Sequence, residues 1–186
     1  MVGELPISVI ICGVKYKLRT DYRDCLRILE AYNDPNLSME DKAYIMLYIL
    51  YRDFEQIPPE HIKEAHEKAL WFLNCGNTIE ESKNTKRVYD WEQDEQMIFS
   101  SINKVAAKEV RQCRYMHFWT FISYFHEIGE GLFSTVINIR NKKNKNKKLE
   151  KHEQEFYREN KALIDLKRKV SDEEQATIDR LNKILG

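Results

Sequence analysis

The sequence has little of what several common protein classes require. Only six of its 186 residues are Gly and four are Pro, which argues against a β-sandwich, a barrel or a disordered linker protein. Its longest uninterrupted apolar run covers nine residues, 43–51, whereas a membrane span needs roughly twenty. Its 30 basic and 30 acidic residues cancel, so the net charge indicates neither a nucleic-acid nor a membrane partner.

The cysteines and the N-terminal stretch lack the patterns of zinc-binding and secreted proteins. Cys12, Cys25, Cys75 and Cys113 form no C-x-x-C pair, so neither a zinc ribbon nor a thioredoxin-like motif is indicated. The opening MVGELPISVIICGVK has no basic n-region and too short an apolar stretch for a secretory signal. We therefore expect free thiols, no membrane partner and a cytoplasmic location.

Catalytic signatures are also missing. The sequence contains no G-x-x-x-x-G-K-[ST], G-x-G-x-x-G or G-x-S-x-G motif. His126-Glu127-x-x-Glu130 resembles part of a metalloprotease helix, but it lacks the second His that would complete a ligand pair. Cys113 and His117 are one helical turn apart without a second close pair. The interpretation is a protein with no metal, no cofactor and no enzymatic activity; a metal-dependent enzyme is the least favoured alternative.

Hydrophobic periodicity predicts a mainly α-helical fold of about five to seven helices with a short N-terminal β-hairpin. Residues 7–19 contain two β-rich runs on either side of Cys12-Gly13, which predicts the hairpin. Three helices follow, with starts and stops set by capping residues, Pro and Gly. They are predicted from Asp21 to Asp34, from Ser38 (with Asp41 in a near capping box) to about Tyr51, and from Pro58-Pro59 to Asn74-Cys75-Gly76.

A polar loop is predicted over residues 76–89 and is the best internal boundary. Asp90 then begins a fourth predicted helix, with acidic residues in its first turns. A fifth helix is predicted from about residue 115 to residue 140. Gly129 and Gly131 interrupt its apolar stripe, which predicts a kink or a close helix contact.

The aromatic run MHFWTFISYF at residues 116–125 is apolar over most of a helix circumference. Together with AYIMLYILY at residues 43–51, it gives the chain more helix with apolar residues on every face than the core of a small monomer needs. Core packing is one interpretation of the aromatic run, and an exposed patch for a partner helix or for self-association is the other. The candidate partner-binding residues are Phe118, Trp119, Phe121, Tyr124 and Phe125.

A basic segment follows the fifth predicted helix. Residues 140–151 contain seven basic residues and one acidic residue, so the charge is polarised locally although it is balanced overall. We predict a helical domain with the hairpin over residues 1–140, and a basic connector with a helical tail over residues 141–186. The segment could bind a phosphate backbone or an acidic protein, or could be a solvated connector; its candidate residues are Arg140, Lys142, Lys143, Lys145, Lys147 and Lys148.

Five stretches of the sequence form an ordered set of motifs: ICGVKYKLRTDYR (11–23), VYDWEQDEQMIF (88–99), YMHFWTF (115–121), EIGEGLFSTVINIR (127–140) and EQEFYRENK (153–161). In this order they resemble the gene-product-fifteen family of phages and prophages of Gram-positive bacteria. The resemblance covers roughly residues 7–165. Members of this family typically lie between the major tail protein and the tape measure protein of long-tailed phages.

The resemblance implies a binding protein rather than an enzyme. The family's gene position is similar to that of the tail assembly chaperones, which coat the helical tape measure protein until tail-tube subunits polymerise around it. The expected partners are therefore the tape measure protein, other tail proteins and further copies of the chain, in the host bacterial cytoplasm. The alternative is a nucleic-acid-binding phage protein that uses residues 140–151.

Overall fold

The computed structural model describes residues 3–77 and 86–185. Within these ranges the predicted fold class is confirmed, because the chain is mainly helical and has one short hairpin. The described ranges contain nine α-helices rather than five to seven, since the fifth predicted helix and the tail are each divided. The elements are β1 (Ser8–Ile11), β2 (Val14–Lys17), α1 (Tyr22–Asn33), α2 (Met39–Leu50), α3 (Ile62–Leu73), α4 (Glu95–Ala106), α5 (Phe118–His126), α6 (Leu132–Asn144), α7 (Lys151–Glu159), α8 (Lys161–Ile164) and α9 (Asp172–Leu185).

The chain divides into two compact units. The first unit comprises residues 1–77 and 168–186, and the second comprises residues 78–167. The predicted boundary at residue 140 instead lies inside α6 and inside the second unit, because α7 and α8 pack back within that unit. The predicted loop at 76–89 lies partly outside the described residues. None of the helices within the described ranges is long and apolar enough to cross a membrane.

The N-terminal hairpin forms where the sequence predicts it. β1 pairs antiparallel with β2 in a register that places Val9 opposite Tyr16, and both side chains are buried. Cys12 and Gly13 form the two-residue turn with φ of 47° and 80°. Positive φ at both positions is the geometry that matches the twist of a hairpin, and glycine adopts it without steric cost.

The predicted caps of the first two helices are confirmed. The Asp21 carboxylate accepts a hydrogen bond from the Arg23 backbone N–H at 3.0 Å. The Ser38 hydroxyl accepts from the Asp41 N–H at 3.1 Å, while the Asp41 carboxylate accepts from the Ser38 N–H. Such caps satisfy backbone donors that have no partner inside the helix. Both helices therefore begin where local side-chain chemistry dictates.

The fourth helix begins later than predicted. Asp90 does not open α4, because its carboxylate accepts hydrogen bonds from the backbone N–H groups of Glu92 and Gln93 and closes a separate turn. Asp94 is the residue that precedes the helix, and the Ile98 N–H donates to the Asp94 carbonyl at 2.9 Å. Short polar side chains of this kind stabilise a turn in competition with the helix.

The helix predicted over residues 115–140 is two helices. The His117 imidazole Nδ1 accepts from the Trp119 N–H at 3.1 Å and starts α5. The break comes at residues 127–131, where Gly131 is extended and its N–H donates to the Ser134 hydroxyl at 2.9 Å. The predicted kink is therefore a complete interruption, and α6 starts afresh with its own cap.

An aromatic core holds the second unit together. The Phe121 ring centroid lies 5.8 Å from that of Phe99 and 6.1 Å from that of Trp91. Phe125 lies 5.0 Å from Trp91 and 5.9 Å from Phe133. The contacts are tilted, as is typical of rings that avoid a face-to-face sandwich. Side chains from the 89–91 turn, α4, α5 and α6 thus meet in one cluster.

The turn after α4 depends on an ionised carboxylate, which leads to a prediction about pH. Hydrogen bonds from the Arg111 side chain lower the pKa of Glu109 to about 2, and Asn103 contributes a further bond. Because the pKa of Glu109 in the folded protein is lower than its ordinary value of 4.5, the ionised carboxylate stabilises the fold at pH values above 4.5. This stabilisation is lost as the pH falls towards the pKa that Glu109 has in the folded protein. We expect Glu109→Gln to lower the urea-unfolding midpoint at neutral pH.

The difference between the wild type and Glu109→Gln should shrink as the pH is lowered from about 6 to about 3. Glu130→Gln, which changes an exposed carboxylate elsewhere in the second unit, is the control. A difference that stays constant over this pH range would contradict the assignment to an ionised Glu109.

Candidate functional site

A groove of about 630 Å³ lies in the second unit, between α4 and the connection from α5 to α6. Its α4 wall is built from side chains three or four residues apart, which share one helix face. Its other wall is the break at residues 127–131 and the first residue of α6. The apolar lining residues are Met97, Val105, Ile128 and Leu132, and the polar ones include Gln96, Ser100, Ser101, Lys104, Glu127 and Glu130.

The interruption of the helix opens this groove. Lys104 Nζ donates to the Glu130 carbonyl at 3.4 Å, across the groove from α4 to the break. A Cβ placed on Gly129 or Gly131 would meet nothing within 4 Å, so the two glycines leave open space along the wall. Leu132 is 51% exposed at the edge of the groove. The result is an apolar trough with a lysine and two glutamates at its sides.

This arrangement is suited to holding the side chains of a partner. Apolar side chains in the trough could bury against a partner, and Lys104, Glu127 and Glu130 could pair with charges around them. An amphipathic helix presents such a stripe of apolar side chains flanked by charges. Among the described residues, no group of three or more His, Cys, Asp or Glu side chains is placed to hold a metal ion.

The predicted partner-binding residues lie elsewhere. Phe118 and Phe121 are buried in the second unit, and Phe121 belongs to the aromatic core. For these two residues, the expectation of an exposed binding patch is corrected. Trp119, Tyr124 and Phe125 are half-buried, and their role in partner binding stays a prediction. None of the five lines the groove.

The apolar residues of the groove lie in two helices that the sequence predicts, but the sequence does not indicate that they form a site. Met97 and Val105 lie in the fourth predicted helix, and Ile128 and Leu132 lie in the apolar stripe of the fifth. The signal that could have found the groove is the pair Gly129 and Gly131, since two glycines so close together end a helix more readily than they bend it.

Arg140 is not part of a basic surface patch. It is 4% exposed, and its guanidinium forms a two-point ion pair with the Asp94 carboxylate at 2.5 and 2.9 Å. It also donates to three backbone carbonyls at 2.6, 2.9 and 3.0 Å, those of Ile164, Leu163 and Val88. The expectation that Arg140 is available to a ligand is therefore corrected: its donors are used inside the unit.

Two of the five predicted lysines are also paired internally. Lys142 Nζ lies 2.6 Å from a Glu153 carboxylate oxygen, and this hydrogen bond raises the pKa of Lys142. Lys143 Nζ lies 2.5 Å from Asp165 and 3.8 Å from the Tyr157 ring centroid. The remaining lysines of the patch are exposed and have no ion pair within the described residues: Lys145, Lys147 and Lys148.

Comparison with known proteins agrees with the motifs found in the sequence. A family model described as Bacteriophage Gp15 protein matches residues 1–166. The chain belongs to this family. The Gp15 match includes the hairpin, the groove, the aromatic core and the Arg140–Asp94 ion pair, and it ends before α9. No curated protein matches the chain, and no solved structure matches it. This Gp15 family member is therefore a bacteriophage protein with a mainly α-helical fold.

Proposed function

We propose that this Gp15 family member is a non-enzymatic, tail assembly chaperone-like protein. It binds the tape measure protein during long-tail morphogenesis, in the cytoplasm of the host bacterium. The observation that carries the proposal is the apolar groove of about 630 Å³ in the second unit. A tape measure protein is a long helical client, and an amphipathic helix can place apolar side chains into such a trough.

The mixed polar and apolar lining of the groove supports reversible binding of a client rather than permanent association. Its apolar residues are interrupted by Ser100, Ser101 and Lys104 on α4 and by two glutamates on the other side. Interfaces of this mixed composition are typical of partners that associate and separate, whereas obligate interfaces are more apolar. A chaperone must release its client when tube subunits arrive, and a mixed groove is suited to that exchange.

The nucleic-acid alternative is less well supported. Of the six basic residues proposed for it, Arg140, Lys142 and Lys143 already have carboxylate partners inside the second unit. Three exposed lysines remain, and the segment contains no aromatic side chain on which a base could stack. The number of phosphates that it could neutralise is correspondingly small.

Co-expression tests the proposal directly. The full chain is affinity-purified from cells that also make the tape measure protein of the same phage, and we expect a soluble complex of fixed stoichiometry. Leu132→Asp should reduce the co-purified client about tenfold or more, because it places a charge in the trough. An acidic residue in the first turn of α6 is favourable to the helix, so the substitution is compatible with a folded α6.

Leu181→Asp is the matched control, because Leu181 is also a leucine with 51% exposure but lies on α9. It should leave the amount of co-purified client unchanged. If the wild type and both variants recovered equal amounts of the tape measure protein, the groove would not be its binding site. Absence of any complex, with both proteins well expressed, would overturn the proposed function. Light scattering of the purified chain measures self-association in the same preparation.

A further inference from the structure

The first unit carries an exposed aromatic surface that its own packing does not require. Tyr44 and Tyr48 on α2 are 58% and 53% exposed, and their rings stack with centroids 6.0 Å apart. Phe54, in the short 3₁₀ turn after α2, meets both rings edge-on at 5.5 and 6.2 Å. We refer to these three residues as the tyrosine patch. Tyrosine is enriched among the residues that dominate binding at protein interfaces.

The surroundings of the tyrosine patch are acidic. Residues 40–55 contain four acidic and two basic residues. Glu40 lies one helical turn before Tyr44, and Asp53 and Glu55 flank Phe54; all three acidic residues are exposed and have no ion pair within the described ranges. A hollow of about 260 Å³ lies beside Tyr48 and Phe54, with Asp53, Glu55 and Arg52 in its lining.

Arg19 also lines the hollow, but its charge is engaged. Its guanidinium donates to the carbonyls of Tyr48, Ile49 and Tyr51 at 3.0, 3.0 and 2.6 Å, where it satisfies acceptors at the end of α2. Among the described residues no cation lies over a ring of the tyrosine patch, while the exposed carboxylates of Asp53 and Glu55 adjoin Phe54 in sequence and share the lining of the hollow with Arg52.

Elsewhere in the chain, rings and carboxylates occur together around a cation. Three cations of the described residues lie over aromatic rings, and each also pairs with a carboxylate. They are Arg23 over Tyr22 (4.6 Å) with Asp21, Arg111 over Phe99 (5.1 Å) with Glu109, and Lys143 over Tyr157 (3.8 Å) with Asp165. The tyrosine patch has the rings and the carboxylates of this arrangement but not the cation.

We propose that the tyrosine patch binds a lysine- or arginine-bearing segment of another polypeptide. The cation is attracted to the ring faces, the carboxylates select its charge, and the hollow holds the side-chain stem. Nucleic acid is disfavoured, because the same carboxylates repel phosphates. The surface lies in the first unit, whereas the groove proposed for the tape measure protein lies in the second, so the two proposals stand separately.

The test uses the full chain and a fluorescein-labelled peptide of repeated Lys-Ala-Ala units, with fluorescence anisotropy as the measurement. A peptide with Glu in place of Lys is the charge control. We expect binding of the basic peptide only, weakening as salt is raised. Tyr44→Leu and Tyr48→Leu keep an apolar side chain but remove the ring, and each should weaken binding about two- to fivefold.

Asp53→Asn and Glu55→Gln remove the carboxylate charges without changing the size of the side chains, and they should also weaken binding. Tyr115→Leu changes an exposed tyrosine of the second unit and should have no effect. Equal binding of both peptides, or unchanged affinity in the Tyr44→Leu and Tyr48→Leu variants, would overturn the proposal. Tighter binding of a single-stranded oligonucleotide than of the basic peptide would also overturn it.

Discussion

Replacing Arg140 with Met lowers the free energy of unfolding of the second unit by about 3–5 kcal/mol. The substitution leaves the Asp94 carboxylate, whose side chain is 0% exposed, without its counter-charge. It also leaves three backbone carbonyls without the donors that now reach them. A buried charge with no partner is far more costly than the net gain from the pair itself. Urea unfolding followed by circular dichroism measures the change.

A double variant separates the cost of an unpaired charge from the value of the pair. Asp94→Leu with Arg140→Met removes both charges, and it should be more stable than Arg140→Met alone. Lys147→Met, at an exposed lysine of the same basic segment, should change stability by less than about 0.5 kcal/mol. If Arg140→Met and Lys147→Met had equal stability, the Arg140–Asp94 pair would not be the buried contact described above.

Replacing Phe121 with Ala lowers the free energy of unfolding by about 3–5 kcal/mol. Phe121 has no exposed surface, and its ring touches Phe99 and Trp91 in the aromatic core. Truncation removes those contacts and leaves a cavity that rigid neighbouring rings cannot fill. Thermal unfolding or urea unfolding of the purified variant gives the magnitude.

Tyr124→Ala is the comparison for Phe121→Ala, because Tyr124 is on the same helix but only half-buried. It should cost less than half as much in stability as Phe121→Ala. Comparing Phe121→Ala with Tyr124→Ala separates the two interpretations of the aromatic run. Replacing an interface residue weakens partner binding but leaves the free protein stable, whereas replacing a core residue destabilises the protein. A stable Phe121→Ala variant that had lost its partner would restore Phe121 to the binding surface.

The parts of the fold that the sequence predicts well are those set by neighbouring residues. The Cys12-Gly13 turn, the Asp21 cap and the Ser38–Asp41 capping box each depend on side chains at most three positions apart. Local chemistry decides such features before any tertiary contact forms. The Asp90 turn was missed because an aspartate can cap a helix or close a turn, and the sequence pattern alone does not distinguish these outcomes.

The candidate site depends on contacts that no local pattern contains. The break at residues 127–131 lies within a continuous apolar stripe, so periodicity favours an unbroken helix there. Arg140 is surrounded by lysines in the sequence, whereas its partner Asp94 is 46 residues away. Composition therefore groups Arg140 with a solvated basic segment, and only the tertiary structure distinguishes a buried pair from an exposed charge.

The Arg140 contacts also bear on the order in which the ribosome makes the second unit. Asp94 and the Val88 carbonyl are synthesised before Arg140, but two of its acceptors, the carbonyls of Leu163 and Ile164, come 23 and 24 residues later. Until then the guanidinium of Arg140 lacks two of the carbonyl acceptors that it has in the folded protein. The second unit therefore completes the contacts of Arg140 only after Ile164 has been synthesised. The exposed side chains of Lys145, Asn146, Lys147 and Lys148 keep the intervening stretch well solvated until then.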